Sequence, residues 1–321
     1  GVVIDKALHL VGECGSTVLA GTGWGIGLTV AAADVAITGL SLRDYTTGIQ
    51  VTSDGQAEIH HCSFSGNRLS GVSNLNAAAT VNARYNWWGD KSGPSGEGSG
   101  TGDAVGTSID YSPWLGDPDG QMVVVVSEDD LQDAINNCES DGTLMVAPGV
   151  YPGPVVIDQS LTIIGAPFSI DGQLRITDGA EVTFSVDVNC DVLSIEGGSR
   201  ATAVDVDIVC SEDFQIDVWS SLMVTNGSLT INGRTVSGTF IVKDSWGTFT
   251  ITDDTVFASG SVTFFDHSHI SIFNETKHVT VTIAAGADLT VSNGCLIDAV
   301  SGVTRGLNYH LNVEDGAAFS M

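Results

Sequence analysis

Four short runs in this 321-residue chain carry side chains able to catalyse or to hold a metal: Asp253-Asp254, the run DHSH from Asp266 to His269, His60-His61, and Asp117 with Asp119. Hydrolysis of a glycosidic bond needs two carboxylates on neighbouring strands, one acting as acid and one as base or nucleophile. Adjacent residues on a strand point to opposite faces, so Asp253-Asp254 reads as a turn rather than an acid pair. His267 and His269 would share one side of a strand, a spacing that suits a metal, yet no third ligand accompanies them and a polar turn is the better reading. His60-His61 reads as one inward and one outward residue. Asp117 and Asp119 are oxygen donors of the type Ca²⁺ takes, but the run lacks the rest of a Ca²⁺ loop. Arg43, Arg68 and Arg84 do not recur in one column with paired Asp, so no proton-abstracting site emerges. The sequence therefore predicts a chain that is not an enzyme, with no catalytic residue, no cofactor and no assigned metal.

Charge narrows the partners. Eleven Lys and Arg against 39 Asp and Glu give −28, which repels a phosphate backbone and an anionic membrane surface alike. The longest β-like apolar run, MVVVV from Met122, is far below the roughly 20 residues that span a bilayer, so neither nucleic acid nor membrane insertion is expected. With 39 Gly, 7 Pro and 16% charged residues, the composition suits a folded, turn-rich all-β protein. The chain starts at Gly1 without a secretion signal, so any targeting segment is expected to have been removed or left out.

The elements that must position these side chains recur. DVAITGLSLRDYTTGIQVTSDG, QAEIHHCSFSGNRLSGVSNLNA and ATVNARYNWWG align so that Ile37, Ile59 and Val81 are 22 apart, as are Leu42, Phe64 and Asn86. The steps Gly25-Ile26, Gly48-Ile49 and Gly71-Val72 recur at 23. Each unit alternates apolar and polar residues between Gly, Asp, Ser and Asn, the pattern of half-buried strands joined by tight turns. One unit cannot bury its own apolar face, but stacked units place like residue over like about 4.8 Å apart, which is a parallel β-helix.

The second half repeats this less regularly, with Ile195, Val218, Val242 and Phe264 spaced by 23, 24 and 22 as first-strand anchors. PVVIDQSLTIIG from Pro154 matches GVVIDKALHLVG from Gly1 at a constant offset of 153, so the halves are related modules. SEDDLQDAINN carries the helical periodicity: Ser127 suits an N-cap and Leu131, Ala134 and Ile135 share one face, predicting a capping helix over about 127–137.

APGVYPGPVVIDQSLTIIG as an opening coil and NARYNWWGDKSGPSGEGSGTGDAVGTSIDYSPWL, Asn82 to Leu115, as a closing one resemble the right-handed parallel β-helix proteins of the pectin-lyase-like superfamily, specifically the surface and secreted repeat proteins of archaea and bacteria. The fold class expected is all-β: a right-handed parallel β-helix solenoid in two tandem modules, 1–115 lacking its opening coil and 122–321, joined by a linker at 116–121. The resemblance implies that Asn86, Trp87, Trp88, Tyr111 and Trp114 cap the first module; aromatic faces also bind sugars, which is the competing reading of the tryptophans. The superfamily contains polysaccharide lyases, esterases and hydrolases, whose catalytic motifs this chain does not carry.

Two modifications are readable. Cys190 and Cys210 occupy equivalent corners of successive coils, close enough for a disulfide, the alternative being a column of buried thiols. Asn226 and Asn274 begin glycosylation sequons, which chance explains as well. Both terminal coils are expected to expose backbone edges, covered either by head-to-tail association with other copies or by flanking coils of a longer chain. The function expected is structural, a scaffold, sheath or filament subunit of an extracellular or cell-surface assembly. The alternatives are an adhesin or carbohydrate-binding protein with cell-surface polysaccharide as partner, and third a polysaccharide lyase or hydrolase.

Overall fold

The computed structural model describes the chain apart from Cys14 and residues 127–129, 217–218, 232–233, 244–247, 265–268, 275–278, 284–286, 292–295, 302–308, 314–317 and 321, with side chains described through Ile231. The described residues are nearly all β, with strands stacked in parallel coils and one short helix. The chain forms two compact units, one of residues 1–129 and 133–145, the other of residues 130–132 and 146–321.

In the first unit three coils follow one another: β1 (Val2–Ile4), β2 (Leu8–Val11) and β3 (Val18–Ala20); β4 (Ile26–Val30), β5 (Val35–Thr38) and β6 (Ser41–Arg43); β7 (Thr47–Val51), β8 (Ala57–His60) and β9 (Ser63–Ser65). Each strand pairs in parallel with its counterpart one coil on, β1 with β4 and β4 with β7, for example. The stack continues through β10 (Ser70–Asn74) and β11 (Val81–Asn82), then β12 (Pro94–Gly96), β13 (Gly102–Val105) and β14 (Ile109–Asp110). Because side chains alternate along a strand, every second residue points inward and like stacks on like. Ile4, Val30 and Val51 form one buried column, Leu28, Ile49, Val72 and Val105 another, and Ile37 over Ile59 a third.

Two register expectations are corrected. Gly48-Ile49 pairs with Gly27-Leu28, not Gly25-Ile26, because Ile26 lies opposite Thr47. In the following coil Asn82 lies opposite Glu58 and Trp87 opposite Ser63, a spacing of 24 where the preceding pair Ser41 and Ser63 has 22. The spacing has already grown to 23 where Ser70 meets Thr47, so one extra residue enters ahead of β10 and a second between β10 and β11. Together they move Ala83 into line with Ile59, and Trp88 rather than Asn86 continues the column of Leu42 and Phe64.

The glycine column has a steric cause. A Cβ added at Gly27 would lie 2.6 Å from the Gly48 carbonyl oxygen, and one added at Gly48 would lie 2.6 Å from that of Gly71. Neither carbonyl can retreat, since both belong to stacked strands. Gly48→Ala is expected to cost about 2 kcal/mol, the range of an overpacked core, read as a lower denaturation midpoint at unchanged m-value.

After the last coil, β15 (Trp114–Leu115) turns through residues 116–121 into β16 (Met122–Val125), and the two strands pair antiparallel. The segment read as a linker is thus the turn of a hairpin, closed by Gly116 N–H donating to Met122 C=O at 2.7 Å. The helix α1 spans Leu131–Asn137 and buries Leu131, Ala134 and Ile135. The cap expected at Ser127 lies outside the described residues. β17 (Gly142–Val146) follows.

The second unit opens with β18 (Val150–Pro152), β19 (Val155–Ile157) and β20 (Leu161–Gly165), stacked under β21 (Phe168–Asp171), β22 (Gln173–Ile176) and β23 (Glu181–Phe184). The offset of 153 holds structurally, since β1 and β19 begin and end at matching residues. Further strands follow, β24 (Val188–Ile195), β25 (Arg200–Val204), β26 (Asp207–Ile216) and β27 (Ser221–Ile231), which pair with one another in parallel.

There the parallel stacking is interrupted. β28 (Arg234–Lys243) pairs antiparallel with β27 on one side and with β29 (Thr248–Phe264) on the other. Val242 pairs with Leu222 and Phe249 in these ladders, so the even spacing of Val242 and Phe264 does not mark solenoid rungs, and Val218 lies outside the described residues. Asp253-Asp254 sits within β29 beside a register shift, not in a turn. Parallel stacking then resumes: β30 (His269–Asn274), β31 (Val279–Ile283) and β32 (Ala287–Val291) pair with β33 (Leu296–Ser301), β34 (Tyr309–Val313) and β35 (Ala318–Ser320).

Candidate functional site

Among the described residues, a set of buried polar and aromatic side chains lies where the coils of the first unit close. Trp88 is 0% exposed and stacks on Phe64 with ring centroids 4.9 Å apart and planes 17° from parallel. Trp87, next to it on an extended backbone, points the other way and is half-buried. Trp114 is buried, donates its indole N–H to Lys91 C=O at 3.2 Å, and covers Gly93, where a Cβ would come within 2.6 Å of the ring. Tyr111, half-buried, reaches Glu97 C=O with its hydroxyl at 3.4 Å. The Trp88 indole N–H is buried without a hydrogen-bond partner.

Asn86 leaves the aromatic column to serve the backbone. Its Oδ1 accepts from Cys62 N–H at 2.8 Å, while Nδ2 donates to the carbonyls of Ile59 and Ala83 at 2.6 and 2.7 Å. The corner between two coils cannot satisfy its own amides by ladder pairing, and a primary amide supplies both a donor and an acceptor there. Asn67 repeats the device: Oδ1 takes Tyr45 N–H at 3.0 Å, and Nδ2 donates to Leu42 C=O at 2.9 Å and Asp103 Oδ2 at 2.7 Å. Burial pushes the Asp103 carboxyl above its ordinary range, against the hydrogen bonds it accepts from Asn67. Asn67 and Asp103 escaped the sequence reading; the signal was an Asn at a coil corner ahead of a long insertion.

Arg84 and Tyr85 tie the helix residue Asp133 to the same coil. Arg84 Nε is 2.8 Å from Asp110 and Nη1 3.6 Å from Asp133, which also accepts the Tyr85 hydroxyl at 2.6 Å. His60 and His61 do not alternate inward and outward. Ile59 and Cys62 are the buried neighbours, while His61 turns the corner at φ 51° and lies parallel to Tyr85 at 6.1 Å, where burial and then His60 hold its pKa down.

The other singled-out residues lie apart. Asp117 Oδ1 accepts from Asp119 and Gln121 N–H at 2.9 and 3.1 Å, shaping the hairpin turn. In the run from Asp266 to His269, Asp266 and His267 lie outside the described residues, as do the side chains of His269, Asp253, Asp254 and Asn274. Asn226 is exposed with φ 51° ahead of Gly227. Among the described residues no group of three or more His, Cys, Asp or Glu is arranged to hold a metal.

Cys190 and Cys210 are register partners with Sγ atoms 4.0 Å apart, both as thiols and both buried. The hydrogen bond Cys190 gives Cys210, then burial, pushes the Cys190 thiol up. Oxidation would close a loop of 20 residues and stabilise the fold by about 3 kcal/mol on the chain-entropy account. Mass spectrometry of non-reduced peptides from protein purified without reductant is expected to show a Cys190–Cys210 link; free thiols at both positions would contradict it.

By fold the chain is a parallel β-solenoid. Compared with family models, with curated proteins and with solved structures, it matches none. No helix among the described residues is long and apolar enough to cross a membrane.

Proposed function

We propose that this protein is a structural component of an extracellular or cell-surface assembly, a scaffold, sheath or filament subunit of the right-handed parallel β-helix kind seen in the pectin-lyase-like superfamily. Its copies associate head-to-tail, the first coil of one receiving the last coil of another. The observation that carries this reading is a contrast between two matching stretches of sequence. Val2 is 58% exposed and Leu8 37%, whereas their counterparts 153 residues on, Val155 and Leu161, are 1% and 2% exposed. The same side chains that serve as core in one unit lie open in the other, and Val3, Val11 and Val18 are open beside them.

Backbone geometry supports the same reading. Within these 321 residues β1, β2 and β3 each pair with one following strand, and β33, β34 and β35 each pair with a preceding strand in a three-strand coil of the same kind. An apolar edge of unpaired N–H and C=O groups is a template for another strand. Such a contact joins different surfaces of the two partners, so it builds filaments, or rings where the rotation closes.

Sedimentation velocity over a concentration series tests it. The chain is expected to form larger species as concentration rises, while a Val2→Lys, Val11→Lys double variant, altered only at open positions, stays monomeric with an unchanged melting temperature. A wild-type monomer at every concentration would overturn the proposal.

A further inference from the structure

The turn joining the first and second coils carries an aromatic side chain that neither the core nor the closing coil uses. Trp24 is 71% exposed, and the Arg68 guanidinium carbon lies 4.4 Å from its ring centroid. With a cation over one face and most of the ring surface open, the opposite face of the indole looks into solvent.

The position is built rather than incidental. Gly23 and Gly25 flank Trp24 with φ of 88° and 81°, and a Cβ at Gly25 would meet nothing within 4 Å, so backbone shape and not packing calls for glycine there. Gly23 N–H donates to Asp44 C=O at 2.6 Å, and Gly25 C=O accepts from Thr46 N–H at 2.9 Å. Arg68 is anchored by its own N–H to Tyr45 C=O at 2.9 Å. Three successive turns thus hold the backbone beneath the pair.

Charge selects the ligand. Arg84, Arg175 and Arg200 each meet a carboxylate, but Arg68 forms no ion pair among the described residues, although acidic side chains outnumber basic ones by 39 to 11. Its guanidinium edge is left with free N–H donors beside the indole. A net charge of −28 repels a polyanion, and Arg68 repels a cation locally. A neutral ring rich in hydroxyls meets neither obstacle: its C–H face lies on the open indole face, and its oxygens accept from the guanidinium. We infer that Trp24 and Arg68 form a binding site for a sugar ring of an uncharged polysaccharide. One ring on one indole binds weakly, with a Kd on the order of millimolar. The site stands independently of head-to-tail association, which would only multiply it.

Affinity electrophoresis of the full chain through native gels containing a neutral β-glucan, dextran or polygalacturonate tests this. Trp24→Ala and Arg68→Ala are compared with Trp219→Ala, which removes an indole that is 78% exposed. At least one neutral glucan is expected to retard the wild type and the Trp219 variant equally, with retardation abolished in Trp24→Ala and reduced several-fold in Arg68→Ala. Melting temperatures of all variants are expected to match the wild type. No retardation by either neutral glucan, retardation by polygalacturonate alone, or a Trp24→Ala variant retarded like wild type would overturn the inference. So would Trp24→Ala changing the sedimentation of the chain without affecting its mobility in glucan, which would make the indole a contact between copies.

Discussion

Trp88→Ala is expected to destabilise the first unit by about 3–5 kcal/mol, the range for emptying a large buried aromatic site. The indole has no exposed surface, fills the end of the column that begins with Leu19, Leu42 and Phe64, and touches Phe64 face to face. The cavity cannot collapse, because the walls are stacked strands whose ladder bonds fix their spacing. Trp88→Phe is expected to behave differently. It keeps a ring against Phe64 and removes the buried N–H that has no partner, a group whose desolvation costs roughly 1–3 kcal/mol. Its net loss should therefore be about 1 kcal/mol or less. Denaturant unfolding of the two variants checks the pair; equal losses would mean that the indole N–H has a partner and that the stack contributes little.

Asn86→Ala is expected to cost about 3 kcal/mol without opening a comparable cavity. It strips the acceptor from Cys62 N–H and the donor from the Ile59 and Ala83 carbonyls, and each buried group left unpaired costs roughly 1–3 kcal/mol. Asn86→Asp separates the two roles. It retains the acceptor but sets a carboxylate against carbonyl oxygens, so the folded state raises its pKa above the unfolded value of about 3.9. A raised carboxyl pKa contributes stability below the unfolded pKa and loses it as pH rises through the folded one, so this variant should be least stable at neutral pH and recover on acidification. A denaturation midpoint that does not change with pH relative to wild type would show that the side chain is not buried against those carbonyls.

What the sequence made legible follows from what the strand period encodes. Alternation sets which side chains face inward, so Ile37, Ile59, Leu42, Phe64 and Ile49 could all be assigned to a core, and coil spacing near 22 identified stacked parallel strands. The same period carries no information about corners. Two residues added at corners between Ser65 and Val81 leave the strand chemistry unchanged yet exchange Asn86 for Trp88 in the column. Nor does it distinguish a parallel from an antiparallel neighbour, so the antiparallel pairing of β28 with β29 has to be seen in the ladder itself. Asn67, Asp103 and the Trp24–Arg68 pair were hidden for another reason: Asn67 meets Asp103 only across the long connection between β11 and β13, and Trp24 and Arg68 lie two coils apart.

The central claim, that the open edge of the first coil receives a coil of another copy, is tested most directly by hydrogen exchange as a function of protein concentration. Amides of Val2–Ile4, Leu8–Val11 and Val18–Ala20 that are free at low concentration are predicted to become protected as concentration rises, together with amides of Leu296–Ser301, Tyr309–Val313 and Ala318–Ser320, while the interior coils stay constant. Exchange at both ends that is rapid and independent of concentration would contradict it.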